Sequence, residues 1–363
     1  MITNDRKSNL NMLDKAKKNP YNFCIEQILY GGFFMFQNCK DSISKVILPV
    51  KQKNDKETVG EFKKRKIMAQ KLPPRYVEIG KIYDDERFLK WAYNVENCGT
   101  YLEFYNWEKA GLKVKSANFC KDRLCPMCNW RRSLRMFAKL SKIIQSEHYI
   151  KTGYVNLFLT LTVKNVKPGD LHTGIAHLFY SFKKFVQHKA IKSAVKGYFR
   201  ALEITYNKER KDFHHHLHCI LAVPGSYFST SYLSQAKLSH IWKQSLADDI
   251  NYIDSPPVLD IRKFRDSKGI AEASKYVIKS DDKFLKNISN EALRILRLEL
   301  GGTRLVGFGG VFRKIARALK LEISDDLVEN EIPENDILLE ILTLKWSIGL
   351  KNYELFQTEK VGF

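Results

Sequence analysis

No stretch of this 363-residue chain is apolar for long enough to span a bilayer. A spanning helix needs roughly 20 such residues, and the longest apolar patch near the N-terminus, ILYGGFFMF at 28–36, falls far short. No cleavage-site pattern accompanies that patch, so no signal peptide is read and a soluble cytoplasmic protein without a membrane partner is expected. The phosphate-loop signature GxxxxGK followed by Ser or Thr is missing too, and GFGG at 307–310 does not supply it, which excludes an ATP motor of that type. Internal repeats and low-complexity tracts are absent. Acidic residues are scarce, 40 against 61 Lys and Arg, and the resulting charge of +21 implies a polyanionic partner. Nucleic acid is the first candidate and an anionic membrane surface the second. The seven cysteines are odd in number, which argues against a disulfide framework in a cytosolic chain.

What is present describes a globular α+β protein. The composition, 44% hydrophobic and 12% aromatic, suits a packed core. Residues 1–90 form a basic N-terminal region, in which 51–75 reads as a solvated linker running into a basic helix that stops at Pro73 and Pro74. Residues 91–145 form a cysteine-containing module ending in a basic helix. The span 146–285 reads as strand (154–163), helix (170–194), a strand hairpin (GYFRALEITYN, KERKD, then FHHHLHCILAV), helix (233–250), strand (258–264) and helix (269–280). That order fits an antiparallel sheet covered by helices. Residues 286–363 are expected to be helical and basic to about Leu321, with an acidic tail after it.

Four of only nine histidines fall in FHHHLHCIL. Strand alternation puts His214, His216 and His218 on one face and His215, Leu217 and Cys219 on the other. Two imidazoles on one face can converge on a divalent ion, and the sister strand can set Glu203 opposite His216 or His218 as an anionic third ligand, which broadens the site towards Mn²⁺ or Mg²⁺. The competing reading is a polar strand face turned to water. It is disfavoured because the strand runs on into CILAV, and a polar face beside a core is costly without a use.

In GIAEASKYVIKS, Glu272, Tyr276 and Lys279 project along one side of a helix. A phenol is a usable nucleophile when a cation and a metal assist it, although taken alone these are ordinary helix-surface residues. The third constellation is CKDRLCPMCNWRRS, with Cys120, Cys125 and Cys128, and Cys98 upstream to complete a tetrahedral structural Zn²⁺ site. Redox chemistry is the rival for a CxxC pair. Arg131, Arg132 and Arg135 open the following helix as candidate DNA phosphate ligands, against the alternative of an ordinary basic helix face.

The ordered segments FLTLTVKN, HHHLHCIL and KYVIK resemble the three motifs of rolling-circle plasmid replication initiators (Rep proteins) of Gram-positive bacteria, in the HUH endonuclease superfamily. The pair Cys98–Gly99, the run SANFCKDRLCPMCNWRRS and RLVGFGGVFRKIARALKLE (304–322) are similar to family segments, so the resemblance covers roughly residues 60 to 325. It implies an HUH nuclease core with His216 and His218 as the metal pair, Tyr276 as the nicking tyrosine and Lys279 as the YxxK lysine. Glu272 stands where one subgroup carries a glutamate implicated in water-mediated terminal cleavage. The family usually has proline where this sequence has His215, and its third metal ligand varies. Implied partners are plasmid origin DNA, exposed as single strand or hairpin at the nick, a host helicase and a host DNA polymerase; a dimer is one assembly considered. Rival readings are a transposase or relaxase of the same superfamily, distinguished by substrate, and a non-catalytic zinc-containing DNA-binding regulator, which would bind metal at the cysteines alone.

Overall fold

A computed structural model describes residues 53–246, 258–264, 267–274, 282–321, 327–328, 333 and 335–361. It is a mixed α+β structure with two antiparallel sheets. The larger is five-stranded in the order β6-β3-β5-β4-β7, built from β3 (Val155–Thr162), β4 (Gly197–Asn207), β5 (Asp212–Val223), β6 (Leu259–Phe264) and β7 (Val306–Gly309). The β4–β5 hairpin turns through Lys211, whose φ of 50° is the left-handed geometry of a tight reversal.

Alternation along these strands divides the interior in two. Leu157, Leu159, Leu161, Leu202, Ile204, Leu217, Cys219 and Leu221 pack into the core that includes helices Leu171–Gln187 and Gln235–Ser245. Phe158, Phe199, Ala201, Ile220 and Ala222 face the other way, onto Met136, Leu140 and Ile143 of helix Pro126–Ile144, Ile270 and Ala273 of helix Ser267–Ser274, and Phe312 of helix Gly310–Ala318. A sheet covered on both faces can keep polar side chains only where they have partners. His214, His216 and His218 lie on this second face.

The smaller sheet has the order β2-β1-β8-β9, from β1 (Tyr101–Trp107), β2 (Gly111–Ala117), β8 (Leu338–Ser347) and β9 (Asn352–Lys360). The stretch expected to be helical to about Leu321 is interrupted by β7 and its last helix ends at Ala318, and within the expected acidic tail residues 338–360 form a hairpin. Leu342, Leu344 and Trp346 are buried at a spacing of two, a strand period that a run of Leu and Ile obscures. The basic N-terminal helix also differs from expectation. It spans Lys53–Ala69, and Pro73 lies in the first turn of the next helix, Leu72–Ile82, where a missing N–H costs nothing. Phe62, fully buried, meets Phe104 and Trp130 edge-on at 5.6 and 4.9 Å. Among the described residues no helix is long and apolar enough to cross a membrane.

Candidate functional site

The β4–β5 register pairs Glu203 with His216 and Ala201 with His218. The three polar side chains converge: His218 Nε2 lies 2.9 Å from Glu203 Oε2, His216 Nε2 lies 3.7 Å from the same oxygen, and the two Nε2 atoms are 3.2 Å apart. Burial alone pushes the Glu203 carboxyl up, but hydrogen bonds and charge from His216 and His218 outweigh it and hold the group well below the usual carboxylate range. An anionic oxygen and two imidazole nitrogens, with ligand atoms all within 4.8 Å of one another, make a donor set that could hold one divalent ion. The sequence left Glu203 opposite either histidine; it pairs with one in register and touches the other more closely.

Thr160 was not singled out from the sequence. Its Oγ1 lies 3.2 Å from His218 Nδ1, on the neighbouring strand at the register Thr160↔His218. A hydroxyl at Nδ1 orients the ring so that Nε2 faces the carboxylate. The signal was available: the strand motif FLTLTVKN places this threonine on the histidine face by alternation. His214 stacks on His216 with centroids 4.7 Å apart.

His215 points to the opposite face, as alternation requires, and is almost fully buried. Gly174 of helix Leu171–Gln187 makes room for the ring, since a Cβ there would lie 2.9 Å from His215 Nε2. Burial lowers the His215 pKa from 6.5 to about 4. Below pH 6.5 the unfolded chain takes up a proton that the folded state refuses, so stability falls with pH until the folded value is reached. At about 1.4 kcal/mol per pH unit, this one group removes roughly 3 kcal/mol across that window. Urea unfolding of His215→Phe at pH 7 and pH 4.5 is expected to lose less stability on acidification than the parent by about that amount. An equal acid loss in both proteins would mean that His215 is not the group responsible.

Helix Ser267–Ser274 carries Glu272, partly exposed, and packs Ile270 and Ala273 into the core on the histidine face. Tyr276 and Lys279, which follow this helix in sequence, lie outside the described residues.

The second centre is the cysteine cluster. Sγ atoms of Cys98 and Cys128, and of Cys120 and Cys128, are 3.6 Å apart, and those of Cys125 and Cys98 are 3.7 Å apart. Four sulfurs at ~2.3 Å from a tetrahedral zinc would be separated by about 3.8 Å. The cluster therefore has the dimensions of a structural zinc knuckle. Burial raises the Cys125 thiol, yet hydrogen bonds from Cys120, Cys128 and Cys98 outweigh it and bring the group well below its ordinary value. Lys66, wholly buried, donates to the Cys98 carbonyl at 3.0 Å and to that of Glu96. Burial lowers its pKa, and the charge of Cys98 acts against that shift. Nothing in a lysine-rich helix marks this one lysine as internal, which is why sequence reasoning missed it.

The arginine expectation needs correction. Arg131 is wholly buried, with Nε donating to the Leu327 carbonyl at 3.0 Å. Arg132 is also buried, and its guanidinium donates to the carbonyls of Asp122 at 3.0 Å and Lys121 at 2.5 Å. Arg132 turns inward because the knuckle loop offers carbonyls that no secondary structure satisfies. Arg132 thus braces the cysteine loop, while Arg131 ties the start of helix Pro126–Ile144 to Leu327. Asp122 completes the brace, accepting from the Leu124 amide at 2.7 Å and from Arg297 Nε at 2.6 Å. Of the three arginines only Arg135 is partly exposed.

A family model described as "Replication protein" matches residues 111–354. A protein of Bacillus amyloliquefaciens named "Protein rep" is 33% identical over 325 residues, covering 82% of this chain and 93% of that protein. A protein of the same name from a Bacillus species is 34% identical over 314 residues, covering 79% of this chain and 99% of the relative. Another, from Streptococcus pneumoniae, is 34% identical over 277 residues, covering 74% of this chain and 82% of its own length. No solved structure matches.

Proposed function

The chain belongs to the replication protein family as a plasmid replication initiator, and from that premise we propose that it starts rolling-circle replication as a metal-dependent HUH nickase of origin DNA. The observation that carries the reading is the buried Glu203–His216–His218 convergence, on the same sheet face as the helix that leads in sequence to Tyr276. A divalent ion held there, Mn²⁺ or Mg²⁺, would polarise the scissile phosphate. The Tyr276 phenol oxygen attacks phosphorus and the bond to the 3′ oxygen breaks, leaving a 5′-phosphotyrosine and a 3′-OH. The phenol gives up its proton to solvent, and the leaving oxygen takes one up. Lys279 steadies the charge that develops on the phosphate.

The remaining roles follow from what the chain contains. The 3′-OH primes a host polymerase, and a host helicase separates the strands because the sequence has no phosphate loop. Arg135 is assigned to a DNA phosphate, and the four cysteines to a structural Zn²⁺. A cytoplasmic location accompanies this role. After one round Glu272 activates a water for the closing cleavage, and strand transfer releases a circle.

Supercoiled plasmid bearing the origin, incubated with the protein and Mn²⁺, should yield open circles with protein on the 5′ end; supercoils left intact by metal-loaded protein would remove the nickase reading. In the same assay Glu272→Ala should nick at a rate within about threefold of the parent, a surface-residue-sized effect, yet fail to release closed circles. Normal circle release by that variant would take the water-activating role away from Glu272.

A further inference from the structure

A ladder of rings and cations leads from the metal site to the rim of the large sheet. His218 lies against Phe158, with ring centroids 5.4 Å apart. Arg262 of β6, paired with Phe158 in the strand register, sets its guanidinium carbon 4.9 Å from the Phe158 centroid. The next residue, Lys263, turns to the other side and puts its ammonium 4.9 Å from the ring of Phe228. Phe228 is followed by Tyr232, centroids 6.1 Å apart and only 31° from parallel. These two rings are 45% and 58% exposed, although large apolar side chains gain by burial.

The loop that shows them is held firmly. Tyr227, buried between the two, accepts from the Leu233 amide at 3.1 Å through a hydroxyl that donates back to the Leu233 carbonyl at 3.2 Å. Ser229 and Thr230 both donate to the Ser226 carbonyl. Held in this way, the two rings offer flat faces to solvent, and Arg262 and Lys263 beside them offer positive charge. Strand β6 is the outer strand of its sheet, so a chain lying over this rim meets no neighbouring strand among the described residues.

We infer that this rim is a guide for single-stranded DNA flanking the nick, with Phe228 and Tyr232 stacking bases and Arg262 and Lys263 taking phosphates. The inference rests on the nickase reading and gives its substrate a path. Along the strand direction His218 and Lys263 are three residues apart in register, about 10 Å at ~3.3 Å per residue; Arg262 lies on the histidine face and Lys263 on the other, so a strand that meets both crosses the free edge of β6. Stacking on exposed rings tolerates any base, so the guide fixes the strand's course and leaves sequence choice elsewhere.

The test uses the full chain and a fluorescein-labelled oligothymidylate of about 16 nucleotides, the upper end of a single-strand site. Anisotropy should show the double variant Phe228→Ala, Tyr232→Ala binding about 30-fold or more weaker than the parent. Phe228→Tyr, which keeps a ring, should bind within about threefold. Lys263→Gln should reduce the slope of log affinity against log salt by about 0.7, one phosphate contact. Thermal melting of each variant checks that the loop's loss has not unfolded the protein. Parental affinity in the folded double variant, or equal losses in that variant and in Phe228→Tyr, overturns the guide. A parent that nicks origin plasmid while the double variant binds normally removes the guide alone; a parent that neither nicks nor binds the oligonucleotide removes the nickase reading with it.

Discussion

Tyr276→Phe is expected to abolish nicking while leaving the folded protein, its metal affinity and its DNA affinity unchanged. The substitution removes one oxygen, and that oxygen is the assigned nucleophile. A phenyl ring has no lone pair to offer phosphorus, so only attack by water remains. Loss of a nucleophile from comparable covalent catalysts costs on the order of 10⁴-fold or more in rate. Incubation with supercoiled origin plasmid and Mn²⁺ should therefore give no open circle above a protein-free control. A denaturing gel should show no labelled DNA travelling with the protein. Manganese titration of the same variant should match the parent, because the proposed ligands Glu203, His216 and His218 are untouched. Parental nicking by Tyr276→Phe would move the nucleophile to another residue and undo the proposed chemistry at its first step.

The second large effect belongs to the cysteine cluster. Cys125→Ser should lose the zinc and with it much of the stability of the knuckle. Cys125 is fully buried and its sulfur is 3.7 Å from that of Cys98, so serine would leave a small hydroxyl where the proposed site needs a thiolate to close the coordination sphere. Structural zinc is worth roughly 10–16 kcal/mol to small domains that depend on it. In a chain with other cores part of that is retained, and a loss of about 4 kcal/mol or more is expected. That corresponds to a fall of about 10 °C in Tm at ~2–4 °C per kcal/mol. One zinc per parent chain and none in the variant, by metal analysis, is the matching composition. Undiminished zinc and an unchanged Tm in Cys125→Ser would mean that the four sulfurs do not hold a metal.

Much of the site was readable because strands have a period of two. The hairpin was written as GYFRALEITYN and FHHHLHCILAV, and the strands run Gly197–Asn207 and Asp212–Val223. Alternation alone separated His216 and His218 from His215, and the turn brought Glu203 across to them. The cysteine spacing was readable for a similar reason, since a knuckle is local apart from Cys98. What escaped depends on contacts between distant segments. Arg131 and Arg132 look like surface cations in a basic stretch, and only the folded loop of Lys121 and Asp122 supplies the carbonyls that draw Arg132 inward. Lys66 is internal because the Glu96 and Cys98 carbonyls meet it across another helix. Residues 338–360 were read only as part of an acidic tail because no local signal identifies a strand whose partner is β1.

That partnership also sets an order of events during synthesis. Asn106 of β1 and Glu340 of β8, joined by a 2.8 Å hydrogen bond, are 234 positions apart. At about 5–20 residues per second on the ribosome, roughly ten to fifty seconds separate their emergence. The β4–β5 hairpin, by contrast, can close as soon as its second strand has emerged. Until β8 arrives, one side of β1 offers unpaired amides and carbonyls, an edge open to stray association. The smaller sheet is thus the last piece to lock, and a molecule interrupted before Leu338 would carry the histidine-bearing strands without the sheet that β1 completes with β8 and β9.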